Sequence, residues 1–308
     1  MLPLLLRRTA EAVPTLLLVT LTIFVVVHVI PGDPAVMLAG EQAREEDIAG
    51  VRRHLGLDQP YHVQYLRYLG RLAHGDLGYS FTTRTAVTDV IAPRVWPSVH
   101  LALAAMLGAS VLGLGLGILA ALRPHGWFDT VVSLFSLLGV TVPTFWLGLM
   151  LMWLLAVHWQ LVPSFGAGTW KHLLMPAVTL AAAPLGIIAR LTRSEMLEVL
   201  QQDFIRTAWA KGLALRIVVL KHALRNMVLP AVNFVGMQVG IALGYAVVTE
   251  TVFSWPGLGR LLIDAVTVRD YPTVQGLILL FAAVFIGLNV LVDGVAMWVD
   301  PRIRRATA

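Results

Sequence analysis

The chain of 308 residues is 57% hydrophobic and only 13% charged, and its mean hydropathy is +0.77. A soluble domain carries about 25% charged residues, so this composition excludes an ordinary soluble protein and indicates one that spans a membrane. The net charge of +5 does not indicate nucleic-acid binding, because most basic residues flank apolar segments, and the lack of cysteine excludes disulfides, thiolate metal sites and cysteine nucleophiles.

Six apolar stretches are each long enough to cross a membrane, because about 30 Å of hydrocarbon takes roughly 20 helical residues. Arg7 and Arg8 precede the first stretch, which is too long for a signal peptide and lacks a cleavage site, so we expect it to remain as an anchor. Pro176 and Pro184 interrupt the fourth, which we expect to pack inside the bundle. The sequence predicts an all-α membrane protein with six transmembrane helices, near 9–30, 97–122, 130–157, 173–191, 228–252 and 273–298.

The short loops differ in their Lys and Arg content, with thirteen such residues on one side and three on the other. Basic loops stay in the cytoplasm, so both termini are predicted to be cytoplasmic and the stretch 31–96 extracytoplasmic. Apolar residues at helical spacing predict helices at 45–55 and 61–72 in this stretch, separated by the turn-forming sequence Asp58-Gln59-Pro60. We expect it to cap the outer face, either in contact with a partner or as a packed lid.

Polar side chains at membrane depth are costly to bury and often functional. Gln238, Glu250, Asn289 and Asp293 are therefore candidates for contact with a substrate or for gating, and the alternative for each is a structural polar contact. Pro143 is predicted to break the third span, which gives either a flexible gate or a simple kink.

The loop at 190–225 is strongly basic and still has the pattern of a helix. Phe204, Ala208 and Lys211 fall at helical spacing, and Gly212 can end a helix in the left-handed conformation. With a second helix expected at 215–227, the loop is predicted to form a compact knob that a soluble partner binds or braces. The alternative is an ordinary amphipathic loop that stabilises the bundle.

Motifs of catalysis are missing from the sequence. It contains no Gly-x-x-x-x-Gly-Lys-Ser/Thr phosphate loop, no His-Glu-x-x-His zinc motif and no Gly-x-Ser-x-Gly elbow, and its nine histidines show no ligand spacing. We therefore predict no catalytic residue, no metal site and no cofactor in this chain.

The string IRTAWAKGL at 205–213, followed by KHALRNMVLP at 221–230, resembles the cytoplasmic loop motif of binding-protein-dependent permeases of the dipeptide, oligopeptide and nickel class. The generic motif begins Glu-Ala-Ala where this chain has Arg206-Thr207-Ala208, and it ends Ile-x-Leu-Pro where this chain has His222, Leu224 and Arg225. Both departures are typical of the peptide branch. Five other stretches resemble the branch in the same order along nearly the whole chain, among them ETVFSWPGLGRLLIDAVTVRDYPTVQG before the last span.

The resemblance implies a type I ABC importer permease core with one extra N-terminal helix and a large periplasmic loop. The chain then divides into an N-terminal anchor (1–30), a periplasmic region (31–96), a permease core (97–298) with a coupling loop (192–227), and a cytoplasmic tail (299–308). In this family the loop forms a coupling helix that fits a groove on the ATPase subunit. The residues to which the resemblance assigns this contact are Asp203, Arg206, Thr207, Ala208, Lys211, Gly212 and Leu213.

The resemblance also implies the partner subunits and the membrane in which the protein lies. They are a homologous second permease, two ATPase subunits that carry ATP and Mg, and an extracytoplasmic substrate-binding protein, in a bacterial or archaeal cytoplasmic (inner) membrane. Glycines at every fourth position, Gly113 and Gly117 in the second span and Gly236, Gly240 and Gly244 in the fifth, either line the seam with the second permease or pack within the chain.

The substrates of the class are dipeptides, oligopeptides, glutathione and nickel chelates, and peptides are favoured as the commonest cargo. Two rival functions remain open. A secondary transporter would place ion-binding groups at the membrane midplane, and few appear here. A membrane-embedded enzyme would need a catalytic constellation, which the sequence lacks.

Overall fold

The structure, a computed structural model, describes residues 2–29, 34–40 and 43–299. This described part is helical apart from its connecting turns and one isolated bridge between Tyr79 and Ala86, which confirms the predicted all-α class. The predicted tail at 299–308 lies almost wholly outside the described residues. The helices are α1 (Leu2–Val29), α2 (Pro34–Ala39), α3 (Glu45–Leu55), α4 (Tyr61–Ala73), α5 (Val87–Leu122), α6 (Trp127–Thr141), α7 (Thr144–Leu151), α8 (Trp170–Leu200), α9 (Asp203–Ala210), α10 (Leu215–Ile217), α11 (Leu224–Val252), α12 (Leu258–Thr267) and α13 (Tyr271–Val299).

Within the described residues, five helices are long and apolar enough to cross a membrane, namely α1, α5, α8, α11 and α13. They correspond to five of the six predicted spans. The helix α5 begins at Val87, ten residues before the predicted start at 97, and its 36 residues extend for about 54 Å at 1.5 Å each. It is therefore longer than the hydrocarbon layer and projects beyond it.

The remaining predicted span is bent rather than straight. The helix α6 and the segment formed by α7 and a π-helical turn at Met152–His158 meet at an angle of 108°. The break falls at Pro143, as predicted. Proline lacks a backbone N–H and disfavours a helical conformation at the residue before it. Accordingly, Val142 has an extended backbone conformation (φ −72°, ψ 125°). The pair is either a broken span or a re-entrant loop.

The helix α8 lies at the centre of the bundle. In α8, half of the residues in the most apolar 18-residue stretch are buried, whereas the buried share is a third or less in each of the other four spans. This confirms the prediction that the proline-containing segment packs inside the bundle. Glycines on α5 permit its closest contact. A Cβ on Gly117 would stand 2.5 Å from the carbonyl oxygen of Ala189, and one on Gly113 would stand 2.9 Å from a methyl carbon of Ile188.

Glycines also bring α11 against α13. A Cβ on Gly236 would lie 2.3 Å from Val292, and one on Gly240 would lie 2.9 Å from the ring of Phe285, whereas the space beside Gly244 is open. Packing within the chain therefore accounts for these glycines, except for Gly244.

The region between α1 and α5 forms a small folded element. The helices α3 and α4 confirm the two predicted there, and the hydroxyls of Tyr65 on α4 and Thr20 on α1 lie 3.0 Å apart. The carboxylate of Asp270, just before α13, accepts hydrogen bonds from the Ser80 hydroxyl and from the backbone N–H of Phe81. The element is thus fixed to both α1 and α13, and its contact with a partner remains a prediction.

Candidate functional site

The helix α9 begins after the extended residue Gln202 and carries Asp203 in its first turn. A carboxylate there interacts favourably with the positive end of the helix dipole. The ion pair of Asp203 with Arg206, 3.5 Å long, is almost fully exposed and contributes little to stability. This short helix therefore depends on packing and on its caps.

The C-terminal end of α9 is closed by a Schellman motif. The N–H of Gly212 donates to the carbonyl of Trp209 (2.9 Å), and the N–H of Leu213 donates to the carbonyl of Ala208 (3.3 Å). This pattern needs a left-handed residue after the helix, and Gly212 has a φ of +70°. The predicted glycine stop is confirmed.

One face of α9 is buried in the bundle. Ile205 is completely buried and Ala208 is 4% exposed. Both belong to a hydrophobic cluster, here named the α9 cluster, that joins α9 to the ends of α5 and α8 and to the start of α11. The buried members of the α9 cluster are Ala121, Met196, Ile205, Ala208, Val218, Val219, Ala223 and Met227.

The opposite face of α9 and the segment after it expose large apolar side chains between basic ones. Among the residues that the resemblance assigned to the contact, Ala208 is turned into the bundle and Leu213 is half-buried, whereas the other five are exposed. Further large apolar residues, outside the set that the resemblance assigned to the contact, lie on this surface. Phe204, Trp209, Leu215, Ile217 and Leu220 are between 42% and 66% exposed, and Arg206, Lys211, Arg216 and Lys221 lie among them.

The second helix of the predicted knob begins at Leu215 as expected but does not end at Met227. The chain is helical from α10 through a π-helical turn at Val218–Ala223 into α11, with no break at 227. No glycine or proline lies between 215 and 227 to end a helix there. The exposed surface is thus continuous with a membrane span.

A buried ion pair joins α8 to the broken span. The guanidinium of Arg193 donates to both carboxylate oxygens of Asp129, at 2.7 Å for the Nη2–Oδ2 pair, and Asp129 also accepts from the backbone N–H of His125. The side chain of Asp129 is 5% exposed and that of Arg193 is 25% exposed. The sequence did not reveal this pair, because its members lie 64 residues apart.

The predicted gate residues lie in different parts of the bundle. Pro143 stands at the break between α6 and α7, and Gln238 is buried within α11. On α13, Asn289 is exposed and donates to the carbonyl of Phe285 on its own helix, and Asp293 is half-buried. No hydrogen bond joins Gln238, Glu250 and Asn289 in the described chain, so the structure does not gather these three into one site.

Glu250 is completely buried near the end of α11. Its carboxylate accepts hydrogen bonds from the hydroxyl of Ser98 on α5 and from the backbone N–H groups of Gly259 and Arg260 at the start of α12. The hydroxyl of Ser98 in turn accepts from the N–H of Leu258 at 2.7 Å. Glu250 thus links three helices at the end of the bundle opposite α9.

The part of the chain that the structure describes holds no group of three or more His, Cys, Asp or Glu side chains placed to bind a metal ion. The chemistry available at the exposed face of α9 is that of protein contact, through apolar side chains surrounded by positive charge.

Comparison with known proteins places this arrangement in a family. Residues 113–305 match the model of the binding-protein-dependent transport system inner membrane component, and residues 1–102 match the model of its N-terminal part. The glutathione transport system permease protein GsiC of Salmonella paratyphi A is 44% identical over 299 residues, which cover 97% of this chain and 98% of that protein. GsiC of Escherichia coli K12 is 42% identical over 298 residues, or 97% of each chain.

A solved structure shares the fold. The inward-facing MetNI methionine ABC transporter, in its CY5 native crystal form, superposes with a TM-score of 0.57 at 19% identity, over 68% of this chain and 96% of that one. The chain therefore belongs to the family of binding-protein-dependent transport system inner-membrane components and is the permease subunit of an ABC importer, in which ATP is hydrolysed on other chains.

Proposed function

We propose that α9 is the element through which ATP hydrolysis on partner subunits moves this permease. The observation that carries the proposal is the two-sided character of α9: one face is buried in the α9 cluster, and the other exposes apolar side chains and positive charge. An exposed face with apolar centres and a charged rim has the composition of a protein contact surface.

The packing beneath α9 provides a route for the movement. Ile205 and Ala208 contact a close-packed cluster that includes residues of α5, α8 and α11. Packed interiors transmit displacement rather than absorb it, so a shift of α9 reaches three spans at once. The Asp129–Arg193 pair extends the route from α8 to α6 and the break at Pro143.

The proposed assembly contains a homologous second permease, two ATPase subunits that bind ATP and Mg, and an extracytoplasmic binding protein that delivers the substrate. Both termini and α9 lie in the cytoplasm, where the ATPase subunits are, and the region 31–96 lies outside. The distribution of Lys and Arg in the short loops supports this orientation.

The proposed substrates are small peptides, with glutathione as the first to test. Support comes from the GsiC proteins, named as glutathione permeases and about 44% identical over nearly the full length of both chains. Uptake of radiolabelled glutathione by the reconstituted importer with its binding protein, in competition with dipeptides, measures this preference. Absence of uptake both of labelled glutathione and of labelled dipeptides would refute the assignment.

The proposed gating elements are the break at Pro143 and the polar residues Gln238, Asn289 and Asp293. For Glu250 we propose a supporting role, because its hydrogen bonds hold α5, α11 and α12 together while the helices move.

Cross-linking tests the coupling proposal directly, because the chain contains no cysteine of its own. A single cysteine replacing Arg206 on the exposed face of α9 should cross-link to an ATPase subunit through a short bifunctional maleimide. Arg53→Cys, an exposed position on α3, is the matched control and should give no such product. Equal cross-linking from both positions, or from neither, would contradict the proposal.

A further inference from the structure

A cavity of about 930 Å³ lies at the end of the bundle opposite α9. Its walls come from the end of α1, from α3 and α4, from the segment 76–84 and from the start of α13. The volume is within the range of sites that hold small molecules. None of the residues assigned to coupling or gating lines it.

The lining of this cavity is strongly basic. It includes four arginines and one aspartate, and Asp76 already accepts a hydrogen bond from the backbone N–H of Gly78. Among the residues that the structure describes, Arg67, Arg71 and Arg84 form no ion pair with a carboxylate. A concave surface with uncompensated positive charge attracts anions.

Two tyrosines of the wall carry hydroxyls that lack a hydrogen-bond partner in the described chain. Tyr68 and Tyr271 are more than nine-tenths buried, and both line the cavity. Burial, assisted by the neighbouring Tyr65, raises the pKa of Tyr68 to about 12, so its hydroxyl stays protonated as a donor. A buried hydroxyl without a partner is unfavourable, and an acceptor bound in the cavity would offer it one.

The position of the cavity identifies the source of the acceptor. The α1 side of the wall is formed by Phe24, Val27 and His28. Val25, Val26 and Val29 on the same helix are exposed, in the last turns of a membrane span. The cavity therefore lies against a lipid-facing helix at the level where that span ends, and lipid phosphates lie at that level.

We propose that this cavity binds the phosphate headgroup of an anionic membrane lipid. Arg67, Arg71 and Arg84 bind the phosphate oxygens, for which the planar guanidinium is well shaped, and the hydroxyl of Tyr68 donates to the same group. The lipid thereby fastens the element formed by α3 and α4 to α1 and α13.

Native mass spectrometry of the full importer tests the proposal. The complex is purified in detergent and offered equal amounts of phosphatidylglycerol and phosphatidylcholine. The wild-type complex should retain phosphatidylglycerol, and Arg67→Gln/Arg71→Gln should lower this retention about twenty-five-fold, since each arginine beside an anionic lipid contributes roughly a fivefold gain in binding. The control Arg44→Gln/Arg53→Gln removes the same charge from exposed positions outside the cavity and should retain the lipid.

A second variant keeps the test valid if the double variant fails to assemble. Tyr68→Phe should weaken the thermal stabilisation by phosphatidylglycerol without lowering the melting temperature of the lipid-free complex, because it removes a hydroxyl that has no partner. Equal lipid retention by the cavity and control variants would overturn the proposal. Displacement of the lipid from the wild type by millimolar glutathione would also overturn the proposal, because the cavity would then be a binding site for soluble carboxylates rather than for a lipid phosphate.

Discussion

Replacement of Gly212 by valine perturbs α9 through its backbone conformation alone. No atom lies within 4 Å of where a Cβ on Gly212 would stand, so the substitution meets no steric obstacle. Its cost is that of a β-branched residue at φ +70°, about 1–3 kcal/mol. The cap can release this strain by giving up the Gly212–Trp209 and Leu213–Ala208 hydrogen bonds, which unwinds the end of α9. A fold stabilised by about 5–15 kcal/mol survives that loss, but the exposed face loses its shape.

The assay is ATP-dependent uptake in proteoliposomes together with recovery of the ATPase subunits during purification. Gly212→Val should lower uptake at least about tenfold, which corresponds to about 1.4 kcal/mol, while the permease still inserts in the membrane. Gly75→Val is the matched control, because Gly75 also has a left-handed φ of +75° and open space around it but lies far from α9. Gly212→Asn should retain much of the uptake, since asparagine tolerates this conformation. Normal uptake with Gly212→Val, or an equal loss with Gly75→Val, would show that coupling does not depend on the left-handed cap of α9.

Two further predictions concern buried polar contacts. Asp129→Asn should lower the free energy of unfolding by about 2 kcal/mol. The loss is smaller than for a fully buried ion pair because the side chain of Arg193 is a quarter exposed. Measured by thermal unfolding, the double variant Asp129→Asn/Arg193→Gln should recover part of this loss. A double variant no more stable than Asp129→Asn would contradict the pairing. Glu250→Ala should lower the free energy of unfolding by about 1–3 kcal/mol, because it leaves the buried N–H groups of Gly259 and Arg260 without their acceptor, whereas Asn289→Ala at an exposed position should change it by about 0.5 kcal/mol or less. Equal effects of these two variants would show that the hydrogen bonds of Glu250 are not important.

The spans were predictable because a helix in lipid must satisfy its own backbone and needs a long apolar run to do so. The helices α3 and α4 were predictable from amphipathic spacing. The bend of 108° was not: Pro143 indicates a break, but the angle depends on how α6 and α7 pack on α8. The early start of α5 was hidden because its first turns leave the hydrocarbon and lack a continuous apolar run.

At the candidate site, the glycine after α9 predicted the left-handed cap correctly. The sequence did not show which face of α9 is buried, because a helix of eight residues is oriented by its packing rather than by its own pattern. Ala208 therefore turned out to lie in the α9 cluster, and Trp209 and Leu215 on the exposed surface. The only sequence signal for that surface was the presence of large apolar residues in a basic loop.

In the proposed coupling mechanism, the exposed face of α9 lies in the cytoplasm and is covered by an ATPase subunit. Labelling of a single cysteine at Lys211→Cys with a membrane-impermeant maleimide measures both properties. No labelling is expected in intact cells, rapid labelling is expected in inside-out vesicles stripped of the ATPase subunits, and protection is expected when those subunits are added back. Labelling in intact cells, or equal labelling with and without the ATPase subunits, would contradict this mechanism.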